Sequence, residues 1–166
     1  LKKFVKMIDV KPGYKHLDVC GGTNVMGIAC LEKEPTLDVQ AIDRSAEMQA
    51  VGQERAKARG FTIKSDIGDV HKLPYPDNSF DMVTLQYASR HLRILEVSKE
   101  VHRVLKPGGT FYHCDMLRPA NPIIAQLYYI YNYMCVYGTS WLYKSDDAAK
   151  RCRNYFIKAI RLFYTT

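Results

Sequence analysis

What most restricts how this chain can fold is an alternation along it: short runs rich in β-branched and aromatic residues, each followed by a stretch with helical spacing. Such a pattern predicts βαβ units, and therefore a doubly wound α/β fold with a mostly parallel sheet and helices on its faces. Residues 14–19, after the Lys11-Pro12-Gly13 turn, read as the first strand and 25–33 as the helix that follows. Residues 37–42 read as the second strand, closed by Asp43, and Ser45 suits the N-cap of a helix running to about Arg59, with Gly60 just past its end. Residues 61–64 and 80–85 read as the third and fourth strands. A helix from Arg93 carries Ile94, Val97, Val101, Val104 and Leu105 at helical spacing until Lys106-Pro107-Gly108-Gly109 breaks it, and 110–114 reads as the fifth strand. The alternation then stops. Residues 121–137 and 146–163 look helical, and no sixth or seventh strand can be placed before Thr166.

Length matters here because 166 residues suffice for one well-buried core and little more, so residues 1–166 read as a single domain. The cysteines, Cys20, Cys30, Cys114, Cys135 and Cys152, are odd in number and contain no C-x-x-C pair. Neither a disulfide framework nor a metal site is expected, and a reducing, cytoplasmic setting fits. The opening residues form an amphipathic pattern, with Leu1, Phe4, Val5 and Ile8 between lysines, rather than a signal-peptide core. The longest apolar stretch, 123–137, is interrupted by Gln126 and Asn132 and falls short of a membrane span. A net charge of +7 favours anionic surfaces in general, but no basic run interleaved with aromatics forms a nucleic-acid motif, so nucleic acid is not an expected partner.

The first strand leads straight into Leu17-Asp18-Val19-Cys20-Gly21-Gly22-Thr23-Asn24, a glycine turn at the carboxyl edge of the sheet, where doubly wound proteins bind ligands. A G-x-G-x-x-G fingerprint cannot be laid over it, which argues against a nicotinamide or flavin enzyme. Three carboxylates mark successive strand ends: Asp18, Asp43 and Asp69. Asp43 is placed to accept the hydroxyls of a ribose, and Asp69 to accept an exocyclic amine.

With those residues in view, 11–119 resembles the class I methyltransferases, a Rossmann-like fold, and among them the UbiE-type C-methyltransferases of menaquinone and ubiquinone biosynthesis. The stretches that carry the resemblance are LDVCGGTN, AIDRSAEM, GDVHKLPYPDNSFDMVT and EVHRVLKPGGTF, together with Tyr87-Ala88-Ser89-Arg90-His91. The resemblance implies S-adenosyl-L-methionine as cofactor and S-adenosyl-L-homocysteine as product. It implies Asp18, Cys20, Gly21, Gly22 and Thr23 around the methionine part, Asp43 and Arg44 at the ribose, Asp69 and the Val70 backbone at the adenine, and Gln86 and Tyr87 facing cofactor and acceptor. Cys20 and Asn24 depart from the family pattern, which more often has glycine or alanine at the first place and glycine at the second.

A hydroquinone acceptor would need a phenolic proton removed and the resulting charge stabilised. Arg90 is the candidate for the charge, and Tyr87, Asp115, His91 and His113 are candidates for the proton. The 121–163 segment, with its tyrosines at 128, 129, 131, 133, 137 and 143, reads as a helical cover for a small lipophilic substrate. Lys150, Arg153, Lys158 and Arg161 share one helical face, which suits either peripheral contact with an anionic membrane or an ordinary solvated surface. Without further strands the chain reads as a shortened piece of a longer protein, with one sheet edge open to homodimer formation. Alternatives are a methyltransferase of another class, acting on a sterol, an amine or a metal metabolite, and a non-catalytic module that keeps the cofactor fold.

Overall fold

The computed structural model describes residues 2–117, 119–142, 151, 154, 155 and 157–159. The chain divides into two compact units, Leu1–Asp115 and Met116–Thr166. In the first, α1 (Lys2–Met7) precedes β1 (Lys15–Val19), α2 (Val25–Lys33), β2 (Asp38–Asp43), α3 (Ala46–Lys57), β3 (Lys64–Ile67), β4 (Phe80–Gln86), a single 3-10 turn at Ser89–His91, α4 (Ile94–Val104) and β5 (Leu105–Cys114). The five strands form one sheet in the order β3-β2-β1-β4-β5. Every neighbouring pair is parallel. The order reverses between β1 and β4, and a ligand crevice opens beyond the carboxyl ends at such a switch point.

Alternation along the strands divides the core between two faces. Met82, Val39 and Ala41 pack with α1, α2 and α3 residues such as Val5, Ile28 and Ala56. Leu17, Val19, Val83 and Leu85 pack with Val97, Val101 and Val104 of α4 on the other side. Ser45 caps α3, its hydroxyl accepting from the Met48 amide at 3.2 Å. Lys33 of α2 reaches back to the end of α1, donating to the Ile8 carbonyl at 2.6 Å.

Two expectations are corrected. The third strand lies at Lys64–Ile67, not at 61–64. Phe61 and Ile63 supply the apolar signal because they pack on the core beneath α3. However, the Phe61 amide bonds back to the Ala56 carbonyl, and Gln53 takes the Ile63 carbonyl at 2.7 Å, so pairing with β2 starts only at Lys64. The Lys106-Pro107-Gly108-Gly109 run is not a break before the fifth strand but an irregularity inside it. Phe80 pairs with Leu105 and Met82 with Thr110, and the extra residues loop out between them. A side chain at Gly109 would stand 2.9 Å from the Lys106 carbonyl oxygen and 3.0 Å from that of Asp81.

The two stretches most specific to the family resemblance form one mechanical unit. Arg103 of α4 donates to the carbonyls of Leu73 and Tyr75 at 2.9 and 2.8 Å and to Asp77 at 2.8 Å, and it pairs with Glu100 at 2.8 Å. The guanidinium therefore clamps the loop that carries the chain from Asp69 into β4. Its proton affinity rises through its bonds to Glu100 and Asp77.

The second unit contains α5 (Pro122–Leu142), longer than the expected 121–137. Pro122 opens it, and the Asn121 side chain caps it by accepting from the amides of Ile123 and Ile124 at 2.9 and 3.3 Å. Ile123, Leu127, Tyr131 and Met134 are exposed along it. Among the described residues no strand follows Cys114, and no helix is long and apolar enough to cross a membrane. Of the second basic helix expected here, Lys158 is described as helical and exposed; Lys150, Arg153, Arg161 and Tyr143 lie outside the described residues.

Candidate active site

The loop after β1 and the segment after β4 meet at the switch point, and the backbone there is bent in ways most side chains resist. Cys20, Gly22 and Asn24 have φ of 56°, 51° and 55°, and Tyr87 after β4 has 54°. Asn24, the departure from glycine, adopts the left-handed conformation that asparagine tolerates better than most residues, and it is fully buried against Gly52 of α3. Gly52 is required there, since a Cβ would meet the Asn24 side chain at 2.7 Å. Thus the glycine missing from the turn has a counterpart across the helix interface.

Asp43 ties β2 to this loop. One oxygen accepts from the Gly22 amide and the other from the Ser45 amide, each at 2.9 Å. Each carboxylate oxygen keeps a lone pair for a further donor, as a ribose hydroxyl would be. Gly22 lies under Met48, whose methyl would be 3.0 Å from an added Cβ. The Thr23 hydroxyl accepts from Arg55 at 2.9 Å. Cys20 has its thiol pushed up to about 12 by burial and then by the nearby Asp43, Asp18 and Asp69, so it stays protonated and unreactive.

Asp69, just past β3, is half exposed, and one oxygen receives both the amide and Nδ1 of His71, at 3.0 and 2.6 Å. Those two bonds hold its carboxyl below the usual range. Nε2 of His71 accepts from the Arg93 amide at 3.1 Å, which leaves Nδ1 as the donating nitrogen. Val70 is buried in the core, so only its backbone is available to a ligand. Arg44 is exposed beside the end of β2, and Gln86 is half-buried at the end of β4.

Beyond Gln86 the three expected catalytic residues come together. The Tyr87 amide bonds to Cys114, while its carbonyl accepts from Arg90 at 2.5 Å. Arg90 also lies 3.8 Å from Asp115, whose side chain is almost wholly buried. Asp115 in turn accepts from the amide of Ser89 at 2.8 Å and from its hydroxyl. The Tyr87 side chain is 45% exposed. His91 is held below its ordinary pKa, first by burial and then by Arg90, and so is neutral near pH 7. His113 stacks on Phe111 along β5, with ring centroids 5.9 Å apart.

Asp18 is the deepest of the acids. Its Oδ1 accepts from Thr84 at 2.7 Å, and Thr84 is 2.8 Å from Nε2 of His16. Its Oδ2 is buried beneath the glycine loop. Burial raises its carboxyl to about 6, against the opposing bonds from the Thr84 hydroxyl and the Gly27 amide. A buried carboxylate beside the glycine loop fits a site that receives a cation, and the amino group of S-adenosylmethionine is one. Sequence reasoning missed His16, Thr84, Ser89 and His71. The period of two that places His16 on the same face as Asp18 was available in the sequence, whereas the pairing with Thr84 and the reach of Ser89 to Asp115 needed the strand register.

A sequence profile of the ubiE/COQ5 methyltransferase family matches residues 1–163. A demethylmenaquinone methyltransferase of Geobacillus stearothermophilus is 40% identical over 133 residues, covering 78% of this chain and 57% of the relative. One from Staphylococcus aureus (strain Newman) is 39% identical over 132 residues, covering 78% and 54%. The chain thus spans little more than half the length of these relatives. Among solved structures, the YcgJ protein from Bacillus subtilis superposes with a TM-score of 0.68 at 25% identity, over 81% of this chain and 57% of that one. A SAM-dependent methyltransferase from Aquifex aeolicus gives 0.63 at 24% identity, over 73% and 66%. These likenesses match the doubly wound fold.

Proposed function

The chain belongs to the ubiE/COQ5 methyltransferase family, and from that premise we propose that it serves methyl transfer from S-adenosyl-L-methionine to a small lipophilic acceptor, a ring carbon of a prenylated quinol. The observation that carries this reading is the meeting of two sets of groups at one switch point. The Gly22–Asp43 loop, with the buried Asp18 carboxylate, lies at the ends of β1 and β2, and the Tyr87–Arg90–Asp115 cluster lies at the ends of β4 and β5.

The bound cofactor supplies a methyl already activated on a sulfonium, so the protein's task is alignment and exclusion of water. Asp43 holds the ribose, Asp18 the amino group, and Asp69 with the Val70 backbone the adenine edge. Arg90, oriented by the Tyr87 carbonyl and Asp115, would stabilise a phenolate on the acceptor, whose ring carbon is then electron-rich enough to take the methyl as the carbon–sulfur bond breaks, and the same carbon then gives up its ring proton to restore the aromatic quinol. Tyr87 and His91 are the groups placed to carry the phenolic proton away.

Titration with S-adenosylhomocysteine tests the cofactor half. The protein should bind it saturably, and Asp43→Ala should lose about a hundredfold in affinity, the value of two hydrogen bonds to a charged group. Methyl transfer to a short-chain reduced demethylmenaquinone tests the acceptor half. Arg90→Met should lower that rate about a hundredfold or more with cofactor affinity unchanged. Absence of homocysteine-adduct binding in the unaltered protein would overturn the proposal.

A further inference from the structure

β1 places His16 and Asp18 two residues apart on one face of the sheet, and the parallel register of β4 sets Thr84 directly beside Asp18. All three are buried: His16 and Thr84 are 0% exposed and Asp18 is 2% exposed. We infer that His16 is a positioning residue for the amino-acid end of the cofactor, acting through Thr84 to fix the Asp18 carboxylate so that its charge lies beneath the glycine loop that receives the ammonium. This rests on the cofactor reading above.

Hydrogen-bond accounting gives the direction of the chain. A carboxylate cannot donate, and a threonine hydroxyl has one proton, so the 2.7 Å contact is Thr84 donating to Asp18. The same hydroxyl must then accept at its 2.8 Å contact with His16, which requires the imidazole proton on Nε2. Nδ1, which this leaves bare, is the ring nitrogen that is buried with no partner. Burial also holds the imidazole neutral, pushing it down to about 3.

Without the imidazole, the buried Thr84 oxygen would lose the donor that His16 provides and could exchange places with its methyl by rotating. Asp18 would then lose the bond that orients it and favours its charged form. Gly21 completes the arrangement from the loop side. A Cβ there would come 3.2 Å from Oδ2, so glycine leaves that oxygen room beneath the loop.

The test compares two ligands. S-adenosylhomocysteine carries the amino group; 5′-methylthioadenosine shares its adenosine and sulfur but lacks it. His16→Leu should weaken the first about tenfold and leave the second within about twofold, and His16→Gln, whose amide nitrogen can donate as Nε2 does, should restore most of the loss. In the ligand-free protein the 15N spectrum of the His16 ring should show a neutral imidazole protonated at Nε2, which can be read even if His16→Leu fails to fold. Equal weakening of both ligands, no weakening of either, or a ring protonated at Nδ1 would overturn the inference while the cofactor reading stands. Binding of neither ligand by the unaltered protein would overturn both.

Discussion

Asp18→Asn should make the protein more stable at neutral and alkaline pH while removing the charge its ligand needs. Burial raises the Asp18 carboxyl from 3.8 to about 6. The folded state therefore binds a proton that the unfolded chain has already released, and stability falls as pH rises through that window. The contribution is fully present below 3.8 and is gone above about 6. A shift of about two pKa units corresponds to about 3 kcal/mol, most of which falls between pH 4 and pH 8. Asparagine carries no charge, so the variant lacks this slope. Urea unfolding of both proteins at pH 4 and pH 8 measures it, and the comparison needs only the change with pH, so any constant packing difference cancels. His16 acts at the acid end in both proteins: burial lowers its pKa from 6.5 to about 3, so its contribution is lost as pH falls from 6.5. The expected result is that the stability difference, variant minus parent, grows by about 2–3 kcal/mol from pH 4 to pH 8. A difference independent of pH would refute the claim that Asp18 is charged against its environment. S-adenosylhomocysteine should bind the variant more weakly at pH 8.

Two further substitutions test the scaffold of the site. Gly22→Ala forces a Cβ onto a residue at φ 51° and to within 3.0 Å of Met48; it should cost about 1–2 kcal/mol in unfolding free energy and weaken cofactor binding, as read by denaturation and titration. Arg103→Met removes the clamp on the Leu73 and Tyr75 carbonyls and leaves Glu100 without its guanidinium. It should destabilise by about 2–3 kcal/mol and speed amide exchange in the loop before β4, with no change confined to the Arg90 cluster.

Much of this protein was legible before any coordinates. Repeating apolar patterns placed α2, β1 and β4 within a residue, because burial on one stripe of a helix or both faces of a central strand leaves a local signature. The same signature misled at β3. Phe61 and Ile63 look like strand residues because they pack on the core, yet their backbone groups are taken by Ala56 and Gln53, and the polar Lys64-Ser65-Asp66 pairs instead. Apolar patterning reports burial, and pairing is decided by which backbone groups are left over. The proline-glycine run after Val104 was similarly ambiguous, since a turn and a wide irregularity within a strand ask for the same residues.

For the site, the sequence alone determined the inventory: a glycine turn after the first strand, an acid at each of three strand ends, and an arginine after the fourth. Position along a strand determines which edge of a parallel sheet a residue reaches, so those acids had to gather at the carboxyl edge. Only the tertiary structure decided how they are held. That Thr84 sits beside Asp18, that Ser89 turns to Asp115, and that Gly52 makes room for Asn24 follow from strand register and helix packing between segments far apart in the chain. Such contacts leave no mark on either segment by itself, because each residue is a plausible choice in its own neighbourhood and acquires its role only from the partner brought to it.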